Sequence, residues 1–198
     1  MPKTKSSPRD TVQDFLDYMQ SIGSFEPREL ELMTKIIKVK TVKKGETVLA
    51  LGEVSNFYFV NKGCLGTTYI TDNGTEFIRC LAMEKSFCWA IPSFLSQQPT
   101  NESIEALCNS EILIMSKKNF DLLNDKSVNF RNAYQKALEM LCINYASRVE
   151  SFLTMDAKFR FETLMKKNPV IVQQLPNKII AAYLGITQES LSRIKKQI

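Results

Sequence analysis

The segment LPNKIIAAYLGITQESLSRIKKQI, residues 175–198, predicts two short amphipathic helices joined by a tight corner. Gly185 can take the left-handed conformation that ends a helix at little steric cost. Thr187 can then cap the following helix through its hydroxyl group. The apolar residues recur at helical spacing, so we expect one face of each helix to be buried against the other. The residues predicted to be buried are Ile180, Ala181, Leu184, Leu191 and Ile194. This pattern is typical of a helix-turn-helix.

The polar residues of the second helix are left facing outward, where a recognition helix presents side chains to base edges. Arginine pairs with guanine, glutamine pairs with adenine, and a carboxylate accepts from the amino group of cytosine. The predicted base contacts are Gln188, Glu189, Ser192 and Arg193. The predicted phosphate contacts are Lys178, Thr187, Lys195 and Lys196. The alternative interpretation is an ordinary helical hairpin whose polar face is simply solvated.

The charge distribution favours the first interpretation. The net charge is +5, and residues 156–198 hold eight basic and three acidic residues. The remaining 18 basic and 18 acidic residues balance each other. All of the net positive charge therefore lies with the predicted helix-turn-helix, which favours a polyanionic partner.

Composition argues against several other classes of protein. The 198 residues include no apolar run long enough to cross a membrane and no signal peptide, so we expect a soluble, cytoplasmic protein with no membrane partner. Histidine is absent, which removes the commonest general base and metal ligand. We also find neither a nucleophile elbow nor a glycine-rich phosphate loop. An enzyme is therefore disfavoured, and no catalytic or metal-binding residue is predicted.

Five cysteines, an odd number, are spread along the chain without a CxxC pair: Cys64, Cys80, Cys88, Cys108 and Cys142. We expect most of them to be small buried hydrophobes in a reducing compartment. The alternative is an iron–sulfur site or a redox-sensing thiol, for which clustered ligand spacing is missing.

Upstream, the hydrophobic periodicity changes twice. Residues 12–19 and 26–37 have helical spacing and follow a polar tail, Met1–Arg9. Between residues 39 and 115 the period becomes that of strands, with a hairpin corner at Asn73-Gly74. The predicted strands are residues 39–42, 47–51, 57–61, 64–71, 75–83, 103–108 and 112–115. Because the links are short and no crossover helices intervene, they predict an antiparallel roll or barrel.

A long helix is predicted for residues 128–155, preceded by a helical stretch that begins at Lys117. Its broad apolar stripe needs a covering surface, which is either the β-domain alone or a twin helix from a second subunit. We favour the twin helix. The predicted dimer-interface residues are Phe130, Tyr134, Ala137, Leu138, Leu141, Tyr145 and Phe152. Asn144 either sets the register of the two helices at that interface or is an exposed polar residue.

This order of elements resembles the CRP/FNR family of bacterial transcription regulators over nearly the whole chain. The resemblance is carried by VKKGETVLALGEVSNFYFVNKGCLGTTYITDNGTEF, residues 42–77, and by AAYLGITQESLSRIKK, residues 181–196. The resemblance implies an α+β fold with a jelly-roll-like, cupin-like antiparallel β-roll of the cyclic-nucleotide-binding type. It also implies a homodimer, a palindromic double-stranded DNA site and RNA polymerase as a further partner. The expected domains are 1–127 (sensory), 128–155 (dimerisation helix) and 156–198 (DNA-binding).

The chain departs from that family at the ligand site. Members that bind cyclic nucleotides use a glutamate for the ribose and an arginine for the cyclic phosphate. Here the glutamate's place falls near Trp89, the arginine's place is taken by residues 100–103, and no arginine lies between Arg79 and Arg131. A phosphate beside Glu102 would be repelled. We therefore expect neither cAMP nor cGMP to bind, and we predict no cofactor.

The same region is apolar instead, which leaves two possibilities for the effector site. The residues expected to line it are Phe87, Cys88, Trp89 and Phe94. They either accept a hydrophobic effector or fill the space themselves. No cysteine precedes Cys64, so the iron–sulfur sensor of the oxygen-sensing branch is disfavoured. Residues 156–175 lack the turn chemistry of a β-hairpin wing and are predicted to be helical.

Two functions follow from these patterns. The first is a dimeric, sequence-specific transcription regulator in which a change in the roll shifts the hinge near residues 154–156. The second is a module that binds a small molecule or a protein and whose terminal helices only pack. Salt-dependent binding to duplex DNA distinguishes them.

Overall fold

The computed structural model describes residues 7–197. Most of the predicted tail, residues 1–6, lies outside this range, and the first helix already begins at Pro8. Helix α1 spans Pro8–Ile22 and α2 spans Pro27–Ile36. Ser7 caps α1 through a reciprocal pair of hydrogen bonds with Asp10, and Pro8 suits the first helical position because it lacks an amide hydrogen.

Eight short strands form two four-stranded sheets. In chain order they are β1 (Lys38–Val42), β2 (Thr47–Leu49), β3 (Phe57–Lys62), β4 (Leu65–Ile70), β5 (Glu76–Ala82), β6 (Ser86–Cys88), β7 (Glu102–Ala106) and β8 (Ser110–Met115). The sheet orders are β1-β8-β3-β6 and β2-β7-β4-β5. The pairings of β1 and β3 with β8, of β3 with β6 and of β2 with β7 are all antiparallel. The α+β class and the antiparallel roll are therefore confirmed.

The strand that sequence reading missed is β6. Its three residues follow Lys85, which has a positive φ of 59°, and are too few to establish an alternating pattern. The short helix α3, Ile91–Ser96, was also missed. Both elements lie in the region where the ligand cassette was expected, and the sequence did not predict the structure of that region.

The C-terminal third is helical, in the order α4 (Lys117–Lys126), α5 (Val128–Thr154), α6 (Ala157–Lys167), α7 (Pro169–Gln174), α8 (Asn177–Leu184) and α9 (Gln188–Lys195). The prediction of helix in place of a β-hairpin wing is confirmed by α6 and α7. Pro169 begins α7, since it breaks the preceding helix at Asn168.

The chain divides into two compact units. The first contains Met1–Thr67 and Leu81–Lys136, and the second contains Thr68–Cys80 and Ala137–Ile198. The second unit therefore includes the β4–β5 hairpin, residues 68–80, together with most of α5 and all later helices. This division differs from the predicted boundaries, which assigned the hairpin to the sensory domain.

The core of the first unit is rich in aromatic rings. We call seven of them the aromatic cluster: Phe57, Phe87, Trp89, Phe94, Phe120, Phe130 and Tyr134. Neighbouring ring centroids are separated by 4.8 to 5.8 Å. Pairs at such distances add about 0.5–1.5 kcal/mol each beyond the burial of their surface. The cluster thus joins β3, β6, α3, α4 and the beginning of α5.

The cysteines remain as thiols. Cys64 and Cys88 are buried, Cys80 and Cys108 are half-buried, and Cys142 is exposed. Within residues 7–197, no three metal-ligating side chains come together in a group that could hold an ion. In the same part of the chain, none of the helices combines the length and the apolar composition that a membrane span needs.

Candidate nucleic-acid interface

Helices α8 and α9 form the predicted helix-turn-helix. Gly185 ends α8 with a φ of 67°, and the Thr187 hydroxyl accepts a hydrogen bond from the backbone amide of Ser190 at 3.2 Å. All five residues expected in the interface between the two helices are buried. Both predicted caps are therefore confirmed, and the corner directs α9 so that one side of it remains in solvent.

The predicted base-contacting face lies on that solvent side. Gln188, Glu189, Ser192 and Arg193 are all exposed. The pKa of Glu189 is lowered, first because its carboxylate accepts a hydrogen bond from its own backbone amide and second because of the Thr187 side chain. Glu189 is therefore charged at neutral pH and lies at the positive end of α9. Arg193 extends from the next turn of the helix.

Three of the four predicted phosphate contacts have side-chain partners within the second unit. Lys178 forms an ion pair with Glu76 of the β4–β5 hairpin, with the Nζ and Oε2 atoms 2.8 Å apart. Lys195 Nζ donates to Asn177 Oδ1 at 2.6 Å, and the Thr187 hydroxyl donates to Ser190 Oγ at 3.1 Å. Lys196 is exposed and ends α9. Both residues of the first ion pair are largely exposed, so water and salt weaken it.

Two arginines that sequence reading did not single out bind the end of α8. Arg148 of α5 donates from Nη2 to the carbonyl oxygen of Tyr183 at 2.7 Å and to that of Ile78 at 3.0 Å. Arg160 of α6 donates to the carbonyl oxygens of Leu184, at 3.2 Å, and Met155, at 2.7 Å. The last carbonyls of a helix have no partner within the helix, and cations are favoured there.

Phe152 lies between these two arginines. The guanidinium carbons of Arg148 and Arg160 are 5.0 and 4.9 Å from the centroid of its ring. A Cβ added to Gly185 would lie 2.9 Å from the same ring. We call Arg148, Phe152 and Arg160 the arginine clamp. It attaches the corner of the helix-turn-helix to α5 and α6. No local sequence pattern predicts it, because the residues that the two arginines bind at that corner lie 24 to 35 residues further along the chain.

Residues 39–126 match the family model of the cyclic nucleotide-binding domain. A search of curated protein sequences finds no significant match.

Solved structures match over most of the chain. A transcriptional regulator assigned to the crp/fnr family from Eubacterium rectale has a TM-score of 0.67 and 16% identity, over 87% of this chain and 83% of its own. FixK2 from Bradyrhizobium japonicum has a TM-score of 0.66 and 16% identity, over 82% and 84%. The c-di-GMP-responsive global regulator CLP from Xanthomonas campestris has a TM-score of 0.67 and 12% identity, over 87% and 91%.

The chain has the fold of CRP/FNR transcription regulators. The resemblance carried by residues 42–77 and 181–196 is thereby confirmed at the level of the fold. Since the identities are low, the comparison places this chain in a structural class and leaves its ligand and its DNA contacts to be argued from its own residues.

Within this CRP/FNR fold, the residues expected to line an effector pocket are packed together. Cys88, Trp89 and Phe94 are buried, and Phe87 is half-buried and contacts Phe57 and Phe59. A cavity of about 10 Å³ is lined by Phe87 but not by the other three residues, and it is no more than the space for one water molecule. These side chains are therefore packed in the fold, and their role at an effector site stays a prediction.

The long helix of this CRP/FNR fold presents a different face to solvent from the one expected. Phe130 is buried within its own chain against Phe120, Tyr134 packs on the same ring, and Tyr145 receives a hydrogen bond from Arg79. Ala137, Leu138 and Leu141 are half-buried, and Phe152 belongs to the arginine clamp. Phe130 and Tyr134 of the predicted stripe thus pack within their own subunit, whereas the dimer interface itself stays a prediction. Asn144 is exposed.

A second apolar row on α5 is exposed. We call it the exposed seam: Cys142, Ala146, Val149 and Leu153, of which Leu153 is 79% exposed. The spacing of four, three and four residues is that of a coiled-coil heptad. The exposed seam lies roughly 100° around the helix from the stripe that contains Tyr145 and Phe152. Each of its residues Ala146 and Leu153 directly follows one of those two, and successive residues of a helix are about 100° apart. Both faces are apolar, so periodicity alone could not show which one packs within the subunit.

Proposed function

We propose that the chain is a sequence-specific DNA-binding transcription regulator with no catalytic role. The observation that carries the proposal is the exposed set of Gln188, Glu189, Ser192 and Arg193 on one side of α9. Buried apolar residues hold that helix on its other side, and the arginine clamp holds the corner before it. An arginine and an amide in this position can each make two hydrogen bonds to a base edge.

Selection of bound duplexes from a pool of random sequence tests the proposal. We expect the wild-type chain to enrich one sequence, and its affinity to fall steeply with salt. Arg193→Ala should reduce the affinity for that sequence by about 1–3 kcal/mol and relax the selection at one position of each half-site. Lys196→Ala should weaken binding to all sequences alike. It should also lower by about one the slope of the logarithm of the affinity against the logarithm of the salt concentration.

The matched control is Arg28→Ala, which removes the same charge from an exposed position of α2 in the first unit. We expect it to leave the selected sequence unchanged. Binding that does not depend on salt, or no binding to any duplex, would favour the alternative of a module that binds a small molecule or a protein.

We further propose that the protein is a homodimer joined through the exposed seam of α5 rather than through the stripe that includes Phe130. In a parallel pair of helices, Val149 and Leu153 would meet their own copies and be removed from water. Leu153→Glu would place two carboxylates in that seam. We expect it to produce monomers in sedimentation analysis, whereas Ser147→Glu, on another exposed side of α5, should remain dimeric.

The position of Cys142 in the same seam gives an independent test. Two copies of a heptad position face each other closely enough for a disulfide in a parallel pair. Mild oxidation should therefore yield a covalent dimer that Cys142→Ser abolishes and Cys108→Ser does not. A dimer that persists in Leu153→Glu would refute this interface while leaving the DNA-binding proposal intact.

The effector is proposed to be something other than cAMP. One solved structure with this fold is a regulator that responds to c-di-GMP, so the fold is not tied to one nucleotide. In this chain the aromatic cluster occupies the expected region, and the chain offers no arginine between Arg79 and Arg131 for a cyclic phosphate.

A further inference from the structure

The β4–β5 hairpin lies against the helix-turn-helix within the second unit. Its tip, residues 71–77, is exposed throughout. A groove of about 280 Å³ separates it from the DNA-reading motif, with Gly74 and Glu76 on the hairpin side and Lys178, Thr187 and Gln188 on the other. Three of the eight predicted DNA contacts therefore face the hairpin.

The charges across this groove are complementary. The Glu76 carboxylate is 2.8 Å from the Lys178 ammonium group, a distance typical of a charge-assisted hydrogen bond. A DNA phosphate would approach the same ammonium group in the same way. Because Glu76 is anionic, it neutralises Lys178 and also repels a phosphate that approaches.

The groove, of about 280 Å³, is open to solvent and far smaller than a DNA duplex. A duplex that seats α9 in its major groove must also bring its backbone to Lys178 and Thr187 at the ends of the motif. The hairpin tip would have to move away before that backbone could arrive.

The hairpin is held differently at its base and at its tip. At the base, the carbonyl oxygen of Ile78 accepts from Arg148 Nη2, the same atom that donates to Tyr183 at the end of α8. At the tip, Glu76 forms the ion pair with Lys178 of the motif. Exposed ion pairs contribute little to stability, so the tip can open at little cost while the base stays attached.

We propose that the β4–β5 hairpin is a latch that competes with DNA for the helix-turn-helix, with the Glu76 carboxylate in the place of a backbone phosphate. The proposal rests on the DNA-binding function proposed above. It assigns the hairpin, rather than a bound ligand, the role of limiting access to Lys178, Thr187 and Gln188. Whatever moves the hairpin then increases the affinity for DNA.

Glu76→Gln tests the latch because it keeps the shape of the side chain and removes its charge. Binding is measured by fluorescence anisotropy with a labelled duplex of about 30 base pairs and random sequence, long enough for two half-sites. At low salt we expect Glu76→Gln to bind about two- to fivefold more tightly than the wild type. The gain should shrink as salt is raised.

Asp72→Asn is the matched control, since it removes the same charge from the same hairpin tip at an exposed residue that forms no ion pair within residues 7–197. An increase in DNA affinity with Glu76→Gln that exceeds the increase with Asp72→Asn supports the latch. Equal gains would show a general effect of net charge and overturn it, as would no gain. Absence of duplex binding by both the wild type and Glu76→Gln would overturn the DNA-binding proposal as well.

Hydrogen exchange of the free protein gives a readout without DNA. The amides of Thr71 and Gly74 are hydrogen-bonded within the hairpin. We expect Glu76→Lys to increase exchange across residues 71–77 and at the beginning of α8, because two cations then face each other. The charge exchange Glu76→Lys with Lys178→Glu should restore protection. Unchanged exchange in Glu76→Lys would mean that no latch is held by this pair.

Discussion

The helix-turn-helix, α8 and α9, and the aromatic cluster of the first unit depend on sequence in different ways. In the helix-turn-helix, Gly185, Thr187 and the alternation of apolar and polar residues determine both the corner and the outward face. In the cluster, the sequence shows that the residues are apolar and nothing more. Whether an apolar side chain lines a pocket or fills it depends on the fit between rings that are distant in the chain. Local chemistry therefore predicts a surface more reliably than a cavity.

The largest expected effect tests the filled core. Phe94 is fully buried and its ring centroid lies 5.8 Å from Phe57 and 5.2 Å from Phe120. Phe94→Ala should lower the free energy of unfolding by about 3–5 kcal/mol, because it removes packed surface and leaves a cavity. Urea unfolding followed by the fluorescence of Trp89, the only tryptophan, measures this change.

Phe77→Ala is the control for that experiment, since Phe77 is 43% exposed on the hairpin. Its cost should stay below about 1 kcal/mol. If Phe94→Ala were as mild as Phe77→Ala, the cluster would be loosely packed and a pocket for an effector would again be plausible.

A smaller effect tests the corner of the helix-turn-helix. Gly185 has a φ of 67°, and a Cβ there would meet the Phe152 ring of the arginine clamp. Gly185→Ala should destabilise the second unit by about 1–3 kcal/mol, from the left-handed backbone and from displacement of that ring. Thermal unfolding followed by helical circular dichroism measures the change.

Gly74→Ala separates the two causes. Gly74 also has a positive φ, of 79°, but a Cβ there would meet no atom within 4 Å. It should therefore show the backbone cost alone, about 1 kcal/mol. Equal losses of stability in Gly185→Ala and Gly74→Ala would mean that Phe152 moves aside freely and that the arginine clamp does not restrain the corner.

These two regions explain what the sequence could and could not predict. Most strands, both caps and the exposed Arg193 followed from local patterns. The interface stripe was assigned to a second subunit because Tyr134 and Tyr145 share one side of a long helix, and periodicity does not say what covers that side. Arg148 was missed because its partners, Ile78 and Tyr183, are 70 and 35 residues away.

The smallest expected effect is no effect at all. Titration calorimetry with cAMP or cGMP should give no saturable heat in the micromolar range, and Trp89 emission should not change. Two independent features predict this result. The cavity next to Phe57, Phe87 and Phe130, about 10 Å³, is far below the roughly 300 Å³ of a typical ligand site. No arginine between Arg79 and Arg131 is available to a cyclic phosphate.

The mutant that opens the cluster makes this negative result decisive. Phe94→Ala creates space but supplies no cation, so it should still fail to bind either nucleotide if the missing phosphate partner is the dominant cause. Binding by Phe94→Ala alone would instead identify the filled core as the barrier. Saturable binding by the wild type would show that the aromatic cluster opens for a nucleotide. The packed cluster would then be the closed state of a ligand site rather than a permanent core, and it would no longer differ from the helix-turn-helix in the way described above.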